Sequence, residues 1–183
     1  FRDPIGRHGL NGRDGPVCAF LGPQKHLATE HFGQLDPTDL DEYLRHDGFV
    51  ALRRCLETLS PDQAIETIQQ SGLRGRGGAA FPAGIKWRTV AATQADRKYV
   101  CCNADEGDSG TFSDRMLMEG DPYCLLEGMA IAGLAVGAEY GYIYLRSEYP
   151  HAIATMRRAI GVAREHGVLN DTFDVDVRVG GGA

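Results

Sequence analysis

At 183 residues with 43% apolar content, the chain holds enough material for one ordinary hydrophobic core. A formal net charge of -6 excludes the clustered positive field that general attraction to DNA, RNA or anionic lipid requires, so any polyanion it holds is small and locally bound. Five cysteines, Cys18, Cys55, Cys101, Cys102 and Cys124, show neither C-x-x-C spacing nor the density of a secreted disulfide scaffold, which points to a reducing, cytoplasmic setting.

Residues 1–35 mix Gly, Pro, His and charged side chains without sustained periodicity and are read as an irregular N-terminal segment. From Asp36 the signals sharpen. Asp36-Pro37 and Ser60-Pro61 each place a capping side chain before a proline at the first helical position, predicting two or three short helices over 37–71, with Gly72 closing the last. After a glycine-rich loop, a helix continues over Lys86 to Ala92, and KYVCC, Lys98 to Cys102, reads as a short buried strand.

Asp121-Pro122 opens a helix whose apolar residues Leu125, Leu126, Met129 and Leu134 run to about Ala138. The apolar run there, from Cys124 to Ala138, is interrupted by Glu127 and falls short of the roughly 20 residues that cross a bilayer, so no transmembrane segment is expected. Tyr140 to Leu145 is a strand, with Tyr140, Tyr142 and Tyr144 on one face; Ser147 to His166 is a helix ended by Gly167; Phe173 to Val179 is a third strand. Connections of this length force parallel strands joined by right-handed crossovers. The expected fold class is α/β: a Rossmann-like three-layer domain over 36–183 with parallel strands, preceded by short helices and the glycine-rich loop. An opening Phe1 in place of Met, and the closing glycine run, give the further expectation that the sequence is a piece of a longer polypeptide.

Two segments carry chemistry. RGRGGAAFPAGIKW, Arg74 to Trp87, crowds glycines and alanines into a loop with three cations. Residues lacking a bulky Cβ permit close backbone approach to a phosphate, whose charge Arg74, Arg76 and Lys86 would neutralise while Phe81 offers a flat apolar face. Gly75, Gly77 and Ala80 satisfy G-x-G-x-x-A spacing, but a helix precedes them where the dinucleotide turn needs a strand; the reading is an independently built nucleotide cradle, packed through Phe81, Pro82 and Trp87, with an RGG-type RNA contact as the bland alternative.

The second segment, NADEGDSGTFSDR over 103–115, begins where the first strand ends, the end at which parallel sheets place their ligands. Asn103 donates and accepts hydrogen bonds, while Asp105, Glu106 and Asp108 accept only when ionised, a set that suits a heterocycle and ribose and equally a Mg²⁺ or Ca²⁺ turn. No nucleophile or general acid–base set emerges, and the neighbours Cys101 and Cys102 read as core residues on opposite strand faces.

These two motifs, followed by YIYLRSEYPHA, closely resemble the flavin-carrying, NAD(H)-oxidising subunit shared by respiratory complex I, NAD-reducing hydrogenases and NAD-dependent molybdenum formate dehydrogenases. The resemblance implies FMN and NAD as cofactors. It implies that Gly75, Arg76, Gly77 and Lys86 face the FMN phosphate and ribityl chain, and that Asn103, Asp105 and Glu106 bind the ribityl or ring edge. Gly78, Phe81 and Asp108 would lie on the NAD(H) side, Phe81 stacking on adenine. Complex I members usually have Gly at Ala80, Thr at Ala83 and Glu at Asp108, and the wording N-A-D-E-G-D-S-G-T-F leans towards the formate dehydrogenase diaphorase subunit. The family continues with a tyrosine and C-G-E-E-T-A-L, then four cysteines for a [4Fe-4S] cluster, expected beyond residue 183. Implied partners are NAD(H), a thioredoxin-like [2Fe-2S] subunit and an iron–sulfur/molybdenum catalytic subunit. A flavin-less scaffold is the rival, against which Lys86 and Asn103 stand.

Overall fold

The computed structural model describes residues 23, 25, 27–108 and 110–181; Cys18 and most of the irregular N-terminal segment lie outside them. Turns and bends over 27–39 lead into three short helices, α1 (Leu40–Arg45), α2 (Val50–Glu57) and α3 (Pro61–Gln70). Helix α3 begins as expected: the Ser60 hydroxyl accepts from the Gln63 N–H while the Gln63 side chain accepts from the Ser60 N–H, a reciprocal capping box. Asp36-Pro37 behaves differently. The Asp36 carboxylate folds onto the Thr38 N–H at 2.9 Å, making a turn, and Asp39 takes over as the cap of α1 by accepting from the Glu42 N–H at 3.1 Å.

Helix α4 (Ala83–Ala92) follows the glycine-rich loop, then β1 (Tyr99–Ala104), α5 (Ser113–Gly120), α6 (Pro122–Val136), β2 (Tyr140–Arg146), α7 (Pro150–Glu165) and β3 (Asp174–Gly180). The strands form one parallel sheet in the order β1-β2-β3, with Asn103 beside Tyr144 and Tyr144 beside Arg178. This is the α/β Rossmann-like arrangement expected.

Both crossovers travel the same way across the sheet, and right-handed connections that do so lay their helices on the same face. Burial follows. Ala104, Ile143, Leu145 and Val175 are sealed beneath α6 and α7 with Tyr123, Leu126, Met156 and Ile160, whereas Tyr99, Cys101, Asn103 and Tyr144 on the other face are exposed. Among the described residues, helices therefore cover one face only, so the α/β class and parallel strands are as expected but two of the three expected layers are present. Cys102 is partly buried against the core, where burial pushes its thiol up to about 11, but Cys101 is exposed, correcting its reading as a core residue.

A satellite core joins Cys55, Ala64, Ile65 and Ala135 with partly buried Trp87 and Ala91, fixing α4 on α3 and α6. Gly84 makes the α3 contact possible: a Cβ there would sit 2.6 Å from Gln69 Cα, a backbone atom that cannot swing aside. Overpacking of this kind costs about 1–3 kcal/mol. Gly84→Ala is expected to lower the melting temperature of the full-length protein by roughly 2–12 °C in a thermal scan; a variant melting within 1 °C of the wild type would show that the helices separate freely.

Candidate functional site

The glycine-rich loop is a closed hairpin. The Ala83 N–H donates to the Leu73 carbonyl and the Gly75 N–H to the Phe81 carbonyl, both at 2.9 Å, and Arg74 pairs with Pro82. Arg74 is spent on this fold, its guanidinium donating to the Ala80 carbonyl at 3.0 Å. Gly78 and Ala80 turn the tip with φ of 93° and 50°. The packed loop expected from Phe81 and Pro82 is corrected here: backbone hydrogen bonds at the base, rather than burial, shape it. Residues 73–81 are all exposed, Phe81 at 51%, and cover begins at Pro82, with Pro82, Ala83 and Trp87 partly covered and Gly84 buried.

The positive φ of Gly78 accounts for that glycine, but no protein atom explains the smallness of Gly77, where a Cβ would meet nothing within 4 Å. The freedom is towards solvent, where a ligand approaches. Arg76 and Lys86 are exposed beside it, and among the described residues neither side chain has an ion pair or hydrogen bond.

The second loop leaves β1 at the carboxyl end of the sheet. Asn103 points from the uncovered face, its Oδ1 accepting the Asp105 N–H at 3.1 Å and its Nδ2 left free to donate outwards. Asp105 Oδ1 is buried with no hydrogen-bond partner. An orphaned buried acceptor costs about 1–3 kcal/mol, and native folds rarely keep one without a donor supplied from elsewhere. Asp108 is exposed beyond Gly107, before a turn at Gly110 whose φ is 82°; Ser109 lies outside the described residues.

Glu106 faces the other way. Its carboxylate is buried and accepts from Ser113 Oγ at 3.0 Å, the Asp114 N–H at 3.1 Å, the Arg115 N–H at 3.3 Å and the Tyr149 hydroxyl at 3.1 Å. Burial works to raise its pKa, but these hydrogen bonds to the charged form outweigh it and hold the carboxyl below its ordinary range. Burial and the adjacent Glu106 charge push Asp114 up. Arg146, from the end of β2, donates to the Glu106 carbonyl and is itself held by Glu148 at 3.0 Å.

The structure thus brings Asn103, Asp105, Glu106 and Asp108 to one edge, and Gly75, Arg76, Gly77, Gly78, Phe81 and Lys86 to one loop with the helix that follows it. Among the described residues no hydrogen bond or ion pair joins the two loops. Sequence reasoning missed Arg146 and Tyr149, which act on Glu106 in the strand-end loop from 40 and 43 residues away in the chain. A depression of about 890 Å³ lies at the opposite, amino-terminal end of the strands, lined by Tyr99, Tyr140 and Asp174, away from both loops. Among the described residues no three His, Cys, Asp or Glu side chains converge on a possible metal position, and no helix is long and apolar enough to cross a membrane.

The similarity to known proteins spans both loops. Residues 68–183 match the Nuo51 FMN-binding domain, a segment that contains the glycine loop, the strand-end loop and the whole sheet. The chain belongs to the Nuo51 FMN-binding domain family. It is 44% identical over 167 residues to the NADP-reducing hydrogenase subunit HndC of Solidesulfovibrio fructosivorans, covering 87% of this chain and 34% of that protein. It is 49% identical over 130 residues to an NADH-quinone oxidoreductase subunit of Rhizobium meliloti, covering 71% and 31%. A crystal structure of an NAD⁺-reducing [NiFe]-hydrogenase superposes with a TM-score of 0.62 at 29% identity, over 93% of this chain and 26% of that one. The chain therefore spans about a third of the length of these curated relatives. The shared-family resemblance and FMN as the cofactor of the fold both agree with the match.

Proposed function

We propose that this Nuo51 domain is the flavin-holding part of an NAD(H)-oxidising or NAD⁺-reducing subunit in a multi-subunit cytoplasmic redox complex. The observation that carries the reading is Asp105 Oδ1, an unpartnered acceptor buried at the carboxyl edge where a hydroxyl-bearing ligand supplies the missing donor. The glycine tip admits a phosphate to the backbone, Lys86 and Arg76 balance its charge, and Asn103 donates to the ring or ribityl edge. One ligand joins two loops that the protein leaves unjoined. Gly78 and the exposed Phe81 ring face the nicotinamide nucleotide, whose adenine Phe81 stacks, with Asp108 beside them. When bound, FMN supplies a ring that exchanges hydride with the nicotinamide and exchanges single electrons with iron–sulfur clusters. The protein contributes position: it holds two rings near contact distance and needs no nucleophile. Free thiols at Cys55, Cys101, Cys102 and Cys124 support a reducing compartment.

Within the family, N-A-D-E-G-D-S-G-T-F supports the diaphorase subunit of an NAD-dependent formate dehydrogenase, working with a thioredoxin-like [2Fe-2S] subunit and an iron–sulfur/molybdenum subunit. The 44% identity to HndC favours a second reading, the flavin subunit of a hydrogenase. Purified gently as the full-length subunit, the protein is expected to be yellow and to pass electrons from NADH to an artificial acceptor. A colourless, inactive preparation that fails to take up added FMN overturns the proposal. With native partners attached, formate-dependent reduction of NAD⁺ supports the first reading and hydrogen-dependent reduction the second.

A further inference from the structure

The strand-end loop has to present Asp105 at a fixed place although its own residues are small, polar and largely exposed. What holds it is a clasp from the β2–α7 turn. Tyr149 is buried, and its hydroxyl donates to Glu106 Oε2 at 3.1 Å and lies 3.4 Å from the Thr111 carbonyl, touching both ends of the loop. The Arg146 and Arg115 guanidinium groups lie 5.3 and 5.6 Å from the centre of the Tyr149 ring. Arg146 also grips the Glu106 carbonyl, so the residue next to Asp105 is held by both its backbone and its side chain.

Glu106 has no capacity left for a ligand. An ionised carboxylate offers about four acceptor positions, and Ser113, Asp114, Arg115 and Tyr149 fill them. We infer that Tyr149 and Glu106 are positioning residues: Tyr149, acting through Glu106, sets the strand-end loop so that Asp105 Oδ1 and Asn103 meet the flavin, and Glu106 itself stands behind the loop and touches no cofactor. The inference rests on the flavin-binding reading above and changes the role of one residue within it.

The test is FMN affinity in the full-length subunit, read by quenching of flavin fluorescence on titration, with melting temperature measured in parallel. Tyr149→Phe keeps the ring beneath both arginines and removes only the hydroxyl. It is expected to raise the FMN dissociation constant about five- to tenfold. Tyr43→Phe is the matched control, because it removes another buried hydroxyl donated to a carboxylate, 2.6 Å from Glu127 and outside the loop. It is expected to lower the melting temperature while leaving FMN affinity within twofold of the wild type. An unchanged constant in Tyr149→Phe, or equal weakening by both variants, overturns the inference while the flavin reading stands. Should Tyr149→Phe fail to fold, Glu106→Gln is titrated in its place and judged by the same criterion. A wild-type subunit that binds no FMN overturns both readings.

Discussion

Replacing Lys86 by alanine in the full-length subunit is expected to weaken FMN binding about ten- to a hundredfold, measured as flavin retained after gel filtration and as the dissociation constant on reconstitution. The residue sits in the first turn of α4, one turn past the closed base of the glycine hairpin, exposed and without a protein partner among the described residues. A cation in that position has nothing of its own fold to hold up. Its removal should leave the melting temperature of the flavin-free protein unchanged, because exposed side chains far from caps and cores contribute within about 0.5 kcal/mol. What is lost is a charge-assisted contact to a phosphate dianion, in the range of about 1.5–3 kcal/mol. Lys86→Arg should recover part of the affinity, since the charge persists on a head group of different shape. Flavin content equal to the wild type in Lys86→Ala would place the phosphate elsewhere. Arg76, exposed and unpaired in the same way, would be the next candidate.

The largest effect on stability is expected at Glu127. This carboxylate, buried in the middle of the apolar face of α6, accepts the Tyr43 hydroxyl at 2.6 Å, the Phe49 N–H at 2.9 Å and the Leu52 N–H at 3.0 Å. It caps α2 from another helix, where Phe49, held in the left-handed region at φ 59°, has no side chain able to do so. Burial and the Glu127 hydrogen bond push the Tyr43 phenol far above its ordinary range, so it stays a donor. Around it Tyr43, Phe49 and Tyr123 pack with ring centres 5.1–6.4 Å apart. Glu127→Ala leaves three buried donors without acceptors and opens a cavity among these rings, a loss of about 3–5 kcal/mol. That corresponds to a fall in melting temperature of roughly 6–20 °C for a domain of this size. Glu127→Gln should fall between, because one amide oxygen cannot serve both Leu52 on one side and Phe49 on the other, and its NH₂ would face a backbone donor. Melting of Glu127→Ala within 2 °C of the wild type would mean that water replaces the carboxylate at no cost.

Much of the architecture was legible because its signals are local. Ser60-Pro61 and Asp121-Pro122 begin α3 and α6 through side chains three residues from their targets, while Gly72 and Gly167, at φ of 72° and 70°, follow the ends of α3 and α7. The three strands and their parallel order follow from alternating apolar residues and the lengths between them. The features that escaped are those set from a distance. Helix α5 is capped by Glu106, seven residues before the donor it satisfies at Ser113, so no local cap marks its start. Glu127 read as an interruption of an apolar run, when its lone charge in that run was the available clue to a buried acceptor. Tyr149 falls inside the helix expected over Ser147 to His166 and carries no signal of its own, since its partner Glu106 is 43 residues away in the chain. For the site, residue types were readable one by one, and the orphaned oxygen of Asp105 was not, because burial and missing partners exist only once the chain has folded.

The order β1-β2-β3 repeats the order of the chain, so each strand docks beside the one synthesised just before it. Among the described strands, none is inserted between two formed earlier. A polypeptide emerging from the ribosome closes one loop of moderate length at a time, Tyr99 to Tyr140 and then Tyr140 to Asp174, a modest entropic cost at each step. Over the three described strands the half-built sheet grows at one edge, and its carboxyl end, with the strand-end loop, is assembled in the direction of translation.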